Sequence, residues 1–175
     1  MPGNTVTEPN FDWHWCWQQH QLCLQTATGL HRTVVSHASS NGLAPDAFTL
    51  GQAEMYWQCL FALEPLHWSD SAVFAACIDA VAQREFSRTD PNKSFYLQCQ
   101  QHNFHPQAFD LVEVCGHNRA LALVLESDAD QSRLMLLSAL DTLTGRQFSA
   151  GHSFCSLHDR LLPYHPPRTP VLKSA

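Results

Sequence analysis

Between Phe11 and Trp17 the chain reads Phe-Asp-Trp-His-Trp-Cys-Trp, with a large aromatic at every second position. In an extended backbone alternate residues share a face, so Phe11, Trp13, Trp15 and Trp17 point one way and Asp12, His14 and Cys16 the other. Each large aromatic covers roughly 150–250 Å², so three tryptophans represent about 450–750 Å². That is at or beyond the roughly 300–600 Å² of the largest apolar patch a monomer normally leaves exposed. Most of this face has to be covered, which makes the segment a core strand with at most one ring at the surface.

The periodicity of the rest follows from that strand. A strand over 11–17 is followed, across the polar Gln18-Gln19-His20-Gln21, by a second over 22–26, and Gly29 permits a turn into a third over 30–37. Pro45-Asp46-Ala47-Phe48 reads as a helical turn that tucks Phe48 inward. From Gly51 the period changes: Ala53, Tyr56, Trp57, Leu60, Phe61 and Leu63 recur at helical spacing until Pro65. A second helix starts at Ser69 as N-cap, with Asp70 in its first turn and Val73, Phe74, Cys77, Ile78, Val81 and Phe86 as its stripe. Thr89-Asp90-Pro91-Asn92 breaks it and is the best boundary in the sequence. Beyond it the period is mostly two, over 94–99, 109–115, 120–126, 133–140 and 151–157.

The expected fold class is therefore α+β in two lobes. An N-terminal α/β domain of antiparallel strands plus two helices spans 11–90, and a small antiparallel β-barrel-like domain spans 91–163. Residues 1–10 read as a disordered arm and 164–175, with its prolines, as a flexible tail.

Composition narrows the function classes. With 45% hydrophobic and 15% charged residues in 175, the chain can bury a core. No apolar tract approaches the ~20 residues of a membrane span. The first ten residues lack a basic start followed by an apolar run, so a cytoplasmic location is expected. Seven dispersed cysteines without a Cys-x-x-Cys pair read as reduced thiols acting as small hydrophobes. A formal charge of −6, with ten Lys plus Arg spread along the chain, lacks the basic footprint of a nucleic-acid binder. Full protonation of the eleven histidines would move that charge to +5, so behaviour near pH 6 is labile.

Chemistry-bearing patterns are weak. Cys99-x-x-His102-x-x-His105 and His152-x-x-Cys155-x-x-His158 offer zinc-type ligands, but a three-residue step along a strand alternates faces. Gly151-His-Ser153-Phe-Cys155 lacks the second glycine of a nucleophile elbow. Glu54, Glu85, Glu113 and Glu126 sit in no signature, and no phosphate-cradling loop is present. The residues point away from an enzyme and from any cofactor. The competing class is a zinc- or thiol-dependent enzyme using the His/Cys wealth of the C-terminal lobe; a third is a small-molecule module walled by the aromatic hairpin.

A set of short stretches carries a resemblance. They are Trp13-His-Trp15 with Leu22-Cys-Leu24 and Gly29, then Arg32, Leu43-Ala-Pro45-Asp46-Ala47-Phe48, and Ala53 with Tyr56. Further on come Pro91-Asn-Lys93-Ser94, Leu123-Val-Leu125-Glu126-Ser127, Gly145-Arg146, and Asp159-Arg160-Leu161 with Pro163. In this order, from about 13 to 163, the chain resembles the ZapC family of Z-ring-associated division proteins. The resemblance implies a non-enzymatic protein that binds the tubulin-like GTPase FtsZ, promotes lateral association of its protofilaments and acts at mid-cell. It also implies two lobes, each with a surface hollow suited to protein contact.

Two acidic proteins repel beyond a Debye length of about 8 Å in physiological salt. Attraction to an acidic FtsZ then needs a basic cluster or apolar contact. Arg84, Arg88 and Lys93 form the densest basic group, and Trp17, Leu22 and Leu24 on the aromatic hairpin are the apolar candidates. These six are the expected partner-binding residues. No heptad run suggests a coiled-coil dimer, so a monomer is expected, with each lobe contributing a contact.

Overall fold

The computed structural model describes residues 7–101 and 103–167. Its first layer is an antiparallel sheet of β1 (His14–Gln18), β2 (Gln21–Thr26) and β3 (Gly29–Ser36) in that order. The β1–β2 turn is two residues long, and Gln19 and His20 both take positive φ, 50° and 65°. That is the turn whose twist matches its strands, formed here without glycine.

Trp13 and Trp15 are buried against Phe48, whose ring centroid lies 5.3 Å from Trp13 in an edge contact and 5.7 Å from Trp15 at a tilt. A buried indole needs an acceptor. Trp15 Nε1 donates to Gln52 Oε1 at 2.8 Å. The same oxygen accepts from the Thr49 backbone at 3.1 Å and closes the capping box that starts helix α1 (Leu50–Leu63). One glutamine thus fixes both the strand's ring and the helix's first turn. Phe48 is buried as expected, but 45–48 is not a helical turn. Ala47 bridges His14, and Trp15 N donates to the Asp46 carbonyl at 2.9 Å, so the segment runs alongside β1. Phe11 does not join the aromatic face: the strand begins at His14, and Phe11 is 88% exposed.

At Pro65, α1 tightens into a single turn over Glu64–Leu66. Helix α2 (Asp70–Phe86) starts as expected, with Ser69 accepting from Ala72 N, and packs on α1 and β3. Together these elements bury Trp13, Trp15, Leu22, Leu24, Val35, Tyr56, Leu63, Ile78 and Phe86 in one cluster.

The second half is a five-stranded antiparallel sheet. Its strands are β4 (Leu111–Cys115), β5 (Arg119–Ser127), β6 (Gln131–Leu136), β9 (Ser153–Leu157) and β10 (Leu161–Pro163), in the order β10-β4-β5-β6-β9. A two-stranded ribbon of β7 (Leu140–Asp141) and β8 (Gln147–Phe148) accompanies it. Val112, Val114, Ala122, Val124, Leu134 and Phe154 face a core of their own with Tyr96 and Leu161. Leu123, Leu125 and Met135 face the other way and complete the first cluster. Both faces of β5 are therefore covered, which is why it reads as an unbroken apolar run.

Two strand expectations are corrected. Residues 94–99 form a single turn over Ser94–Tyr96 that drops Tyr96 into the second core, and the run from 133 ends at Leu136 before the ribbon. The edge strand β10 had no sequence signal, being three residues long and ending in proline. An edge position tolerates the missing donor. Residues 7–10, expected within a disordered arm, include a fixed point: Tyr56 donates to the Thr7 carbonyl at 2.8 Å. Residues 1–6 of that arm and 168–175 of the tail lie outside the described residues.

The seam between the halves is close. Gly151 has φ +91°, and a Cβ there would lie 2.6 Å from Val34 Cγ1 on β3. Gln83 of α2 donates to its carbonyl. Buried Arg133 of β6 donates to the Gln83 carbonyl at 3.0 Å and the Arg88 carbonyl at 3.3 Å, closing the C-terminal end of α2 from the other half.

Candidate protein-contact surface

Helix α1 has two adjacent rows of large side chains. Tyr56, Cys59 and Leu63 face the core. Leu50, Trp57 and Phe61, seven and then four residues apart, lie on the side turned to solvent, with Leu50 68% and Phe61 66% exposed. Trp57 and Phe61 rings lie 6.3 Å apart. Between α1 and α2 this face opens into a hollow of about 440 Å³. Leu60, Phe61, Leu63, Trp68, Val73 and Phe74 wall it, Tyr56 and Thr7 meet in it, and Glu64, His67 and Asp70 supply its polar atoms. Burial holds the Tyr56 hydroxyl protonated, its pKa above the ordinary tyrosine range. The arrangement is an apolar concavity with one fixed donor and charged groups beside it, which suits a segment of another protein better than a charged metabolite.

The expected contact residues are scattered by comparison. Leu22 and Leu24 are 0% exposed and belong to the core. This corrects their placement on a contact surface: β2 is the central strand of its sheet, and their face is covered by the helices. Trp17 is half-buried and stacked on His37, ring centroids 4.0 Å apart. Arg84 points at the second half, with its guanidinium 5.3 Å from the Phe109 ring centre and Nε 3.9 Å from Glu126. Glu126 also lies 3.7 Å from Arg133, so its charge is shared between two arginines.

Arg88 is exposed and donates to the Ala38 carbonyl. It borders a polar groove of about 600 Å³ along the seam, with Ser39, Asp90 and His152. Lys93 lies 5.8 Å from the ring centre of exposed Phe95. Arg84, Arg88 and Lys93 thus belong to three local settings. Helical spacing alone merges Trp57 and Phe61 with the core residues of α1 into one stripe, which hides the exposed row. That stripe is wider than a single buried face, and its width was the available signal.

The zinc-type patterns do not assemble as spaced. His158 faces His105 with their Nδ1 atoms 3.4 Å apart, His152 stacks on Phe148, Cys155 is buried, and His102 lies outside the described residues. Among the described residues no three His, Cys, Asp or Glu side chains gather as a metal site. A hydrogen bond to Cys77 and then burial push the Cys59 thiol up, and burial pushes the thiols of Cys23 and Cys155 up, away from the reactive thiolate. Among the described residues no helix is long and apolar enough to cross a membrane.

One buried acid stands apart. Asp79 of α2 accepts from the Val34 backbone at 2.9 Å, and burial pushes its pKa to about 6 despite that bond.

No family model matches the chain. It is similar to the cell division protein ZapC of Shewanella frigidimarina, 25% identical over 171 residues that cover 93% of this chain and 97% of that protein. It is also similar to the cell division protein ZapC of Shewanella oneidensis, 26% identical over 163 residues covering 89% and 92%. The two alignments run almost end to end on both sides, so the likeness to these two ZapC proteins takes in the hairpin, the helices and the second sheet alike.

Proposed function

We propose that this chain is a cell-division protein of the cytoplasm that binds FtsZ directly at mid-cell and draws neighbouring protofilaments together, catalysing no reaction. The observation that carries the reading is the exposed apolar row of α1 beside its hollow, in a chain aligned along its length with proteins named for cell division. A contact built on Phe61, Trp57 and Leu50 is apolar, so it works between two acidic proteins where long-range attraction is lacking. Lateral association by a monomer needs a second contact. The seam groove with Arg88, which spans the boundary at residue 90, and Lys93 beside exposed Phe95 just past it, supply a polar one.

Co-sedimentation with FtsZ and GTP tests this. Phe61→Asp puts a charge into the apolar row at a position already two-thirds exposed. It is expected to abolish pelleting with FtsZ while leaving the melting temperature within about 2 °C of the parent, as surface changes do. Arg88→Glu is expected to weaken pelleting most at low salt. Undiminished pelleting of the Phe61→Asp protein would remove α1 from the contact.

A further inference from the structure

We propose that residues 7–11 are a built-in occupant of this contact surface. The chain's own N-terminal segment lies in the trough along α1 that an extended partner peptide would take, and it must leave before that peptide binds. The proposal rests on reading α1 as the partner surface.

Along the segment Thr7 and Pro9 are half-buried while Glu8 and Asn10 are exposed, the two-residue alternation of extended chain lying on a surface. Thr7 borders the hollow of about 440 Å³. Pro9, Asn10 and Phe11 border a second, of about 200 Å³, beside Leu50, Ala53 and Trp57. The segment thus borders both hollows beside α1.

It is held by its main chain. The hydroxyl of buried Tyr56 donates to the Thr7 carbonyl at 2.8 Å, its one hydrogen bond among the described residues. Emptied of the segment, the trough would present an unpartnered donor, and the group that satisfies it is a backbone carbonyl, which every peptide carries. The seat therefore fits extended chain, as in other sites that read a peptide through its backbone. Phe11 makes little of the contact, being largely exposed, so the hold is weak enough to be displaced. The tether is short: Trp13 N donates to the Asn10 carbonyl at 3.0 Å, and the Trp13 side chain is in the core. A segment so tethered competes at an effective concentration of roughly millimolar.

The test compares the intact chain with one lacking residues 1–10, and adds a synthetic peptide of residues 1–11 in trans. The truncated protein is expected to bind the peptide saturably, read by tryptophan fluorescence from Trp57 and Trp68, while the intact protein does not. It is also expected to pellet with FtsZ at a several-fold lower concentration. Should truncation impair folding, Pro9→Gly in the full chain loosens the segment by raising its free-state entropy and removing the half-buried ring, and is expected to strengthen pelleting about two- to fivefold. Peptide binding equal in both proteins, or pelleting with FtsZ no better than the intact chain's, would overturn the proposal. Absence of pelleting by either protein would instead bring down the functional reading on which it rests.

Discussion

Asp79 shows how one residue couples the fold to pH. Its carboxyl is raised from 3.8 to about 6 by burial, so the native state holds the proton more tightly than the unfolded chain. The favourable contribution is complete below pH 3.8 and is lost as pH rises through 6, a difference of about 3 kcal/mol for a shift of roughly two units. Asp79→Asn keeps an oxygen to accept from Val34 N and removes the charge. It is expected to be more stable than the parent at pH 7.5 by an amount of that order, the gap closing towards pH 4 in urea titrations. A gap independent of pH would contradict this reading. Burial of this kind was not legible in the sequence, where Asp79 is one polar residue in a helical pattern. Trp13 and Trp15 were legible, because their combined area left no alternative to the core. Leu22 and Leu24 were not, because alternation shows which residues share a face and is silent on what covers it.

Among the elements, α1 and α2 were readable because period and caps agree: Ser69 caps α2, and Thr49 with Gln52 box the start of α1. The single turn at Ser94–Tyr96 was misread as strand because Phe95, Tyr96 and Leu97 favour strands, while Asn92 holds Ser94 in a turn by accepting from its backbone at 2.8 Å. The seam between β3 and the loop before β9 is a matter of space. Gly151→Ala would drive its methyl into Val34 and strain a positive φ, and is expected to cost about 1–3 kcal/mol, or roughly 2–12 °C in melting temperature. Val34→Ala in the same chain should recover part of that loss. No recovery would mean that the strained φ, and not the contact, sets the cost.

For the whole molecule, the boundary at residue 90 separates two periodicities, while the core crosses it. Leu123, Leu125 and Met135 fill the cluster built by the first sheet and the helices, and Arg133 closes α2 from β6. Unfolding is therefore expected to be one calorimetric transition for the intact chain, with calorimetric and van't Hoff enthalpies equal. Two resolved transitions would mean that the halves hold together independently. Under the proposed function, lateral joining of filaments by a single copy requires two contacts, an apolar one on α1 and a polar one along the seam. The most direct measurement is negative-stain microscopy of FtsZ polymerised with GTP, with and without this chain at equal molarity. Paired and bundled filaments only when the chain is present are the expected result; filaments that stay single and equally spaced after mixing would contradict the account.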